Sequence, residues 1–492
     1  MIRDAIIAQK DNQISALKEE LLYVKQELST LKKLIFGSKS ERFRSEVNDN
    51  QLSLFAEDED EQEAPVVQTQ QITYKRKKVK HPGRNKIPEH LPVEEVIIEP
   101  EEDTAGMVRI GEEVSETLEY TPASLVKKRT IRPKYVDKKE DRIYIASLPS
   151  RPIPKSIAEA SVLSHIMVSK YIDHLPLYRQ AKIFNRDFGW KVSQSTMVDW
   201  VKASCELLEP LYDKLIKKVL DSTYIQVDES PIKVLERLPK KDNGPPKKIM
   251  QGYQWVYFNP ENKLVYFDYC KGRGQHGPRE VLSGYKGYVQ CDGYKVYDII
   301  SRKHHSVHLL GCLVHARRYF DKALDSDHQR ASHVLSIIQE LYKQERKSQD
   351  LPFEQRQAAR KEEIVPLLTQ IKEYIHEESI RVLPKSPIGK AMLYFQNQYQ
   401  KILAAARDAR YRLDNNLIED EIRPLALGRK NYLFAGSHEG GKRMAMLYSF
   451  FGSCKQQGIN PRVWLKETLE KIGDYPINGI VELLPGYENH EA

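Results

Sequence analysis

Three carboxylates stand where their neighbours could turn them toward one cation. Asp228 follows the apolar, alternating run Ile225-Gln-Val227, and Asp292 follows Tyr288-Val-Gln-Cys291 and precedes Gly293. An acid that ends an apolar strand at a turn projects from the rim of a sheet. Two such rims on neighbouring strands bring two carboxylates within reach of one hard ion. Magnesium takes oxygen ligands, commonly one or two carboxylates completed by substrate phosphate oxygens. Asp also favours strand-ending turns for its own sake, so neither residue alone carries a catalytic meaning. The third candidate, Glu419, lies in DNNLIEDEIRPL (414–425). Asp414 or Asn415 can cap a helix there, with Ile418, Ile422 and Leu425 as its apolar face. Asn416, Glu419 and Arg423 form the adjacent stripe. A glutamate set sideways on a packed helix suits a cation facing an anionic substrate; it could equally pair with Arg423 at i,i+4 for a few tenths of a kcal/mol. The spacing leaves Glu419 as one acid among three, with Asp420 and Glu421 expected in solvent.

Basic groups accompany the acids. Arg317 and Arg318 follow His315, Arg423 follows Glu419, and Arg429 and Lys430 lie in GRKN (428–431). These could hold phosphates. The chain carries a formal charge of +8, concentrated in blocks: the acidic run AEDEDEQE (56–63) precedes a basic one that includes Lys75, Arg76, Lys77 and Lys78. Such blocks are solvated linkers or arms on nucleic-acid phosphates. The five cysteines form no CxxC pair, so neither a disulfide framework nor a zinc site is expected. His304, His305, His308 and His315 with Cys312 lack a paired second half. A polar N-terminus and the absence of any long apolar run point to the cytoplasm.

The elements that must position these residues follow from periodicity. Ile7, Ile14, Leu21, Leu28 and Ile35 repeat every seven residues, with Leu17, Val24 and Leu31 between them and Lys10 breaking the second row. Residues 1–36 therefore read as a coiled-coil dimerisation segment, followed by a flexible charged linker over 37–80. Residues 81–150 show short β runs (93–98, 107–110, 124–126, 143–145) and read as a small β-rich module. Residues 156–220 read as helical, with 177–188, a turn through Gly189, and a helix over 195–203. This spacing fits either an αα-hairpin or a helix-turn-helix whose Ser195 and Thr196 start a recognition helix. Strand patterns then recur at 224–235, 253–258, 264–269, 288–291 and 306–314, before a helix from His315. These predict a mixed α/β sheet over 221–320. Residues 321–412 read as an all-helical insertion, 413–445 as the Glu419-bearing helix region, and 446–492 as a helical tail.

The motifs LKKLIFGSKSERF (31–43), HPGRNKIPEHLP (81–92), DHLPLYRQAKIF (173–184), STMVDW (195–200), QVDES (226–230), QCDGY (290–294), GCLVHARRYF (311–320), DNNLIEDEIRPLALGRKNYLFAGS (414–437) and FFGSCKQQGINPRVWL (450–465) occur in one order along the chain. Together they resemble the insertion-sequence 66 transposases over most of its length. The resemblance implies a multidomain α/β protein with an RNase H-like core. It selects Asp228, Asp292 and Glu419 as an acidic triad holding two Mg²⁺, with Mn²⁺ as a substitute, for DNA strand cleavage and strand transfer. It implies element ends and target DNA as partners, a homodimer or higher oligomer, and possible companion proteins of the same element. Relatives carry a cysteine-paired zinc module after the HPGR stretch. Here 100–109 has no cysteine, so the module reads as degenerate. Asp420 also replaces a basic residue found after the Glu in relatives. The alternatives are a non-catalytic dimeric DNA-binding protein derived from a transposase, and a host nuclease on the same fold.

Overall fold

The first sheet buries Leu118, Leu125 and Ile131 and sets acids opposite bases across its strands. The computed structural model describes residues 87, 89, 91–100, 107–121, 124–137, 142–237, 247–274 and 276–487. The zipper, the linker and Lys75–Lys78 lie outside these described residues. Strands β1 (Val93–Ile97), β2 (Val108–Thr121), β3 (Ser124–Asp137) and β4 (Arg142–Ile145) form a four-stranded sheet. β3 pairs parallel with β1 and antiparallel with β2 and β4. β2 and β3 are each 14 residues long, far beyond the short apolar runs read from the sequence. Their pairing is laced by acids opposite bases: Glu116 with Lys127 and Arg129, Glu119 with Lys128, and Glu113 with Arg132. A hydrophobic pattern does not register such a ladder.

Three helices follow: α1 (Ala160–Tyr171), α2 (Leu177–Phe188) and α3 (Gln194–Leu220). Gly189 closes α2 in the left-handed region, φ 64°, and Trp190 beyond it is fully buried between Phe184 and Trp200. Ser193 caps α3, its Oγ accepting from Thr196 N–H at 3.0 Å. α3 does not stop near Ala203. Its apolar stripe continues through Leu208, Leu211, Leu215 and Val219, all fully buried, and carries the helix past Pro210.

β2 meets these helices where Leu118 N–H donates to the Ile157 carbonyl and Glu159 N–H donates to the Leu118 carbonyl. Beside this bridge the His165 ring stacks on Tyr120 at 4.2 Å. Burial first, and Arg462 second, push its imidazole down to about 4. A folded value below the unfolded one means stability that is complete above about pH 6.5 and lost as pH falls toward 4, worth up to about 3 kcal/mol. We expect His165→Phe to keep the stack and flatten the fall in urea midpoint between pH 6.5 and 4. Equal slopes for the two proteins would contradict this assignment.

The second sheet comprises β5 (Tyr224–Arg237), β6 (Lys247–Asn259), β7 (Leu264–Cys270), β8 (Gly287–Gln290) and β9 (Val307–Leu310), with α4 (His276–Leu282) before β8 and α5 (Lys295–Lys303) before β9. The order is β7-β6-β5-β8-β9. β7, β6 and β5 are antiparallel, and β5, β8 and β9 are parallel. β5 is central, and its Ile225, Val227, Ile232 and Val234 are all buried. Gly311 and Cys312 end β9 early, so the last strand is four residues and α6 (Leu313–Ala323) begins before His315.

From α6 the chain is helical through α7 (His328–Ser348), α8 (Phe353–Ala359), α9 (Val365–Glu378) and α10 (Pro387–Ala406). α6, α7, α9 and α10 share a core that includes Phe320, Ile338, Leu341, Leu368, Ile371 and Phe395. The chain then returns through α11 (Asn416–Tyr432), α12 (His438–Gln456) and α13 (Pro461–Lys471). On α12, Ser449 and Ser453 accept from the Phe267 and Val265 N–H groups of β7, at 2.7 and 3.0 Å, and so satisfy the outer edge of the sheet. Among the described residues no helix is long and apolar enough to cross a membrane.

Candidate active site

Asp228 does not end its strand, contrary to the sequence expectation: β5 runs on to Arg237. It ends one pairing instead. β8 covers β5 only over Tyr224–Gln226, with Gln226 opposite Gln290. Continuing that register by two residues sets Asp228 level with Asp292, just past the end of β8. Each aspartate is held by the backbone that follows it: Asp228 Oδ1 accepts from Glu229 N–H at 2.8 Å, and Asp292 Oδ1 from Tyr294 N–H at 2.9 Å.

A buried amide network sits one step behind the pair. Gln226 and Gln290, both fully buried, precede the two aspartates by two residues and so share their face of the sheet. Gln290 Nε2 donates to the Gly311 and Arg412 carbonyls at 3.1 and 2.7 Å. Gln226 Nε2 donates to Gln290 Oε1 at 2.9 Å and to the Asp414 carbonyl at 3.0 Å. These bonds clamp both ends of the helical segment, where it leaves β9 and where it returns to α11. Asn415, also fully buried, donates from Nδ2 to the Val227 carbonyl at 3.1 Å, on the residue before Asp228. That contact lays the start of α11 along β5 and brings Glu419, in its first turn, to the acidic rim.

The electrostatics follow from this crowding. The Asp228 carboxyl is pushed well above the usual carboxylate range by burial, then by the charges of Glu229, Asp292 and Glu419. Glu229 is pushed up to about 7 by burial and by Asp292, with Arg273 partly offsetting both. Glu419 is engaged by Arg318, whose Nη2 donates to Oε2 at 2.5 Å. Its Oε1 is buried without a hydrogen-bond partner, and His315 Nε2 lies 3.8 Å from it. Burial holds the His315 imidazole down at about 4; Asp292 opposes this and Arg318 adds to it, so the ring is neutral at pH 7.

Among the described residues, no three His, Cys, Asp or Glu side chains form a ready-made metal site. The donor chemistry nevertheless fits a hard divalent cation. All donors are oxygens, the charges of Asp292 and Glu419 add to burial in pushing the Asp228 carboxyl up, and one buried carboxylate oxygen of Glu419 is orphaned.

The other candidates scatter around this rim. Arg318 reaches it, and Arg317 is partly buried beside it on α6. Arg423 pairs with Asp420 at 2.9 Å. Arg429 donates to the Pro231 carbonyl on β5 at 2.5 Å, and Lys430 is exposed. Ser195 and Thr196 open α3, with Ser195 exposed and both hydroxyls 2.8 Å from Ser193 Oγ. Glu421, expected in solvent, is instead fully buried and meets Lys455 at 2.8 Å and Gln456 Nε2 at 2.6 Å. Glu229, Arg273, Gln226 and Gln290 were not singled out by sequence. The repeated Gln-x-Asp of QVD and QCD was the signal for the last two.

Fold and site together define a mixed α/β protein with an acidic rim on its central sheet, flanked by a helix-borne glutamate and an arginine. The chain belongs to the IS66 family of transposases, a family of DNA-processing proteins. The model described as "Transposase IS66 family" matches residues 155–443, "IS66 C-terminal element" matches 449–485, and "Transposase C of IS166 homeodomain" matches 24–96. The first of these spans all three acids. The chain is 32% identical to the uncharacterized protein y4jD of Sinorhizobium fredii (strain NBRC 101917 / NGR234), over 96% of each chain. It is 30% identical to the uncharacterized protein y4qI of the same strain, over 93% of this chain and 87% of the relative.

Proposed function

We infer that this chain is a DDE transposase that cleaves and joins DNA for a bacterial insertion sequence, with Asp228, Asp292 and Glu419 as its triad. What supports the reading is that the β5–β8 pairing stops two residues short of both Asp228 and Asp292, that the charges of Asp292 and Glu419 act on the Asp228 carboxyl, and that Asn415 ties the start of the Glu419 helix to β5. On this reading the five-stranded sheet is an RNase H-like core, interrupted before α11 by a helical insertion. Asp228, Asp292 and Glu419 would hold divalent ions, Mg²⁺ or Mn²⁺ in its place. The bound ion supplies Lewis-acid polarisation of the phosphate and a more acidic attacking water.

The protein's own groups do the rest. The Glu229 and Tyr294 N–H groups keep the two aspartates turned to the rim. Arg318, which reaches the rim through Glu419, brings a positive charge toward a strand phosphate, and neutral His315 adds no competing charge. The water oxygen bonds to phosphorus as the P–O3′ bond breaks, leaving a 5′-phosphate and a 3′-hydroxyl. That hydroxyl then attacks a target phosphodiester and displaces its 3′ oxygen.

The α2–α3 pair serves as a helix-turn-helix on the element ends, with Ser195 and Thr196 at its recognition helix. Lys75, Arg76, Lys77, Lys78, Arg317, Arg423, Arg429 and Lys430 contact phosphates. The zipper over 1–36 pairs two protomers in the cytoplasm, with companion proteins of the element as further partners. The test is incubation of the full chain with DNA carrying the element's inverted repeats. Nicking at the repeat boundary that depends on Mg²⁺ or Mn²⁺ is expected, with scrambled ends uncut. End-specific binding without cleavage in either ion would leave the non-catalytic DNA-binding protein in its place.

A further inference from the structure

Glu229 is a fourth acid at the rim, and it is spent on one arginine. Only 4% of its side chain is exposed. Its Oε1 accepts from Arg273 Nε at 2.8 Å and lies 2.7 Å from Nη2. Its Oε2 receives a longer bond from the Tyr297 hydroxyl at 3.4 Å. The Arg273 guanidinium lies over the Tyr294 ring, 4.3 Å from its centroid, and the Tyr294 hydroxyl donates to the Arg273 carbonyl at 2.9 Å. Tyr294 is also the residue whose N–H holds Asp292. Arg273 is thus tied to both aspartates: to Asp228 through its neighbour in sequence, and to Asp292 through Tyr294.

This is a built site. One edge of the guanidinium is fixed by a buried carboxylate and one face by an aromatic ring. The side chain remains 49% exposed, and Nη1 has no hydrogen-bond partner among the described residues. Burying Glu229 carries a desolvation cost that pairing with a half-exposed arginine offsets only in part, so stability alone does not account for the arrangement. A planar cation with a preset outward edge matches two oxygens of a phosphate, which a lysine cannot do in the same way. Beside three carboxylates that repel a DNA backbone, it offers a fixed point of attraction.

We propose that Arg273, oriented by Glu229 and Tyr294, binds a phosphodiester of the DNA strand lying across the acidic rim and so positions the scissile bond. The proposal rests on the transposase reading and adds a phosphate site to it. It is tested in the full chain with Arg273→Gln and Arg273→Lys. One assay is anisotropy of end-containing DNA across a salt series without divalent ions. The other is single-turnover cleavage in Mg²⁺ at saturating DNA. Arg273→Gln is expected to lower the slope of log affinity against log salt by about one and to slow cleavage roughly 30- to 100-fold, as loss of a positioning contact does. Arg273→Lys is expected to restore the slope but only part of the rate. A Gln variant with the wild-type slope and rate overturns the proposal and leaves Arg273 as a mere counterion of Glu229. Should Arg273→Gln fail to fold, the Glu229→Gln/Arg273→Gln double variant removes the buried charge together with its partner, and is read the same way. Wild-type protein that neither binds nor cuts end DNA sinks the transposase reading itself, whereas an active wild type with an indifferent Gln variant sinks only the phosphate site.

Discussion

Asp228→Asn is expected to abolish Mg²⁺-dependent strand cleavage, by about a thousandfold or more, while end binding stays within about twofold of wild type. A thousandfold loss is about 4 kcal/mol of transition-state stabilisation, within what a central ligand for a catalytic ion supplies. Asn is nearly isosteric, so no void is created beside Val227. Its effect on stability runs the other way. Burial and three neighbouring acids hold the Asp228 carboxyl well above its ordinary range. Above its unfolded value the ionised side chain is therefore a cost to the folded state. A neutral amide removes that cost, so without divalent ions the variant should melt at the same temperature as wild type or higher. Adding Mg²⁺ or Mn²⁺ should then raise the Tm of wild type and not of the variant. Cleavage gels, anisotropy and melts on one preparation separate the outcomes. Full cleavage by the variant would sink the triad, and a lowered metal-free Tm would sink its electrostatic account.

The two aspartates stand out in the sequence because each follows a short apolar run, although the groups around them come from distant segments. Even so, the reason Asp228 lies at a rim was misread. The strand does not end there; its parallel neighbour does, and strand ends on a partner are not written in the strand's own pattern. Glu419 was less legible. Local spacing gave three adjacent acids no ranking, and the resemblance chose among them. The fold separates them by partner: Glu419 meets Arg318, about a hundred positions earlier, Asp420 meets Arg423, and Glu421 is buried on Lys455. Asp420–Arg423 is a local i,i+3 pair, but the distant pairings of Glu419 and Glu421 leave no periodic trace. The same holds for Arg273, which lies in a loop of glycine and charge and becomes significant only when β5 places Glu229 beneath it. Of the long strands β2 and β3, only the first residues were legible in the sequence, for a different reason. Beyond those first residues, charged residues that pair across the strands interrupt the apolar alternation, so it gives no signal of their length.

The Gln226–Gln290 pair shows how such non-local contacts reach the chemistry. Gln290→Ala leaves the Gly311 and Arg412 carbonyls without their amide donor and deprives Gln226 Nε2 and the Tyr224 hydroxyl of an acceptor. At about 1–3 kcal/mol for each buried group left unpaired, and with partial relaxation, a loss of roughly 3–4 kcal/mol is expected. Gln226→Ala should cost somewhat less, roughly 2–3 kcal/mol on the same basis, because it frees the Asp414 carbonyl but leaves both Gln290 donors in place. Since the two amides bond to each other, their effects should not add: the double variant should be more stable than the sum of the singles predicts, by about 1 kcal/mol or more. The functional consequence follows from what the amides hold. Gln290 grips both flanks of the helical segment and Gln226 grips the residue before Asn415, so either change loosens α11 and displaces Glu419. An ångström-scale shift of a catalytic group can cost about a hundredfold in rate. Gln226→Ala, assayed well below its melting temperature, should therefore cut far more slowly while binding element ends normally. Additive stabilities would mean that the amides are independent core residues, and wild-type cleavage by Gln226→Ala would mean that α11 is held in register by Asn415 alone.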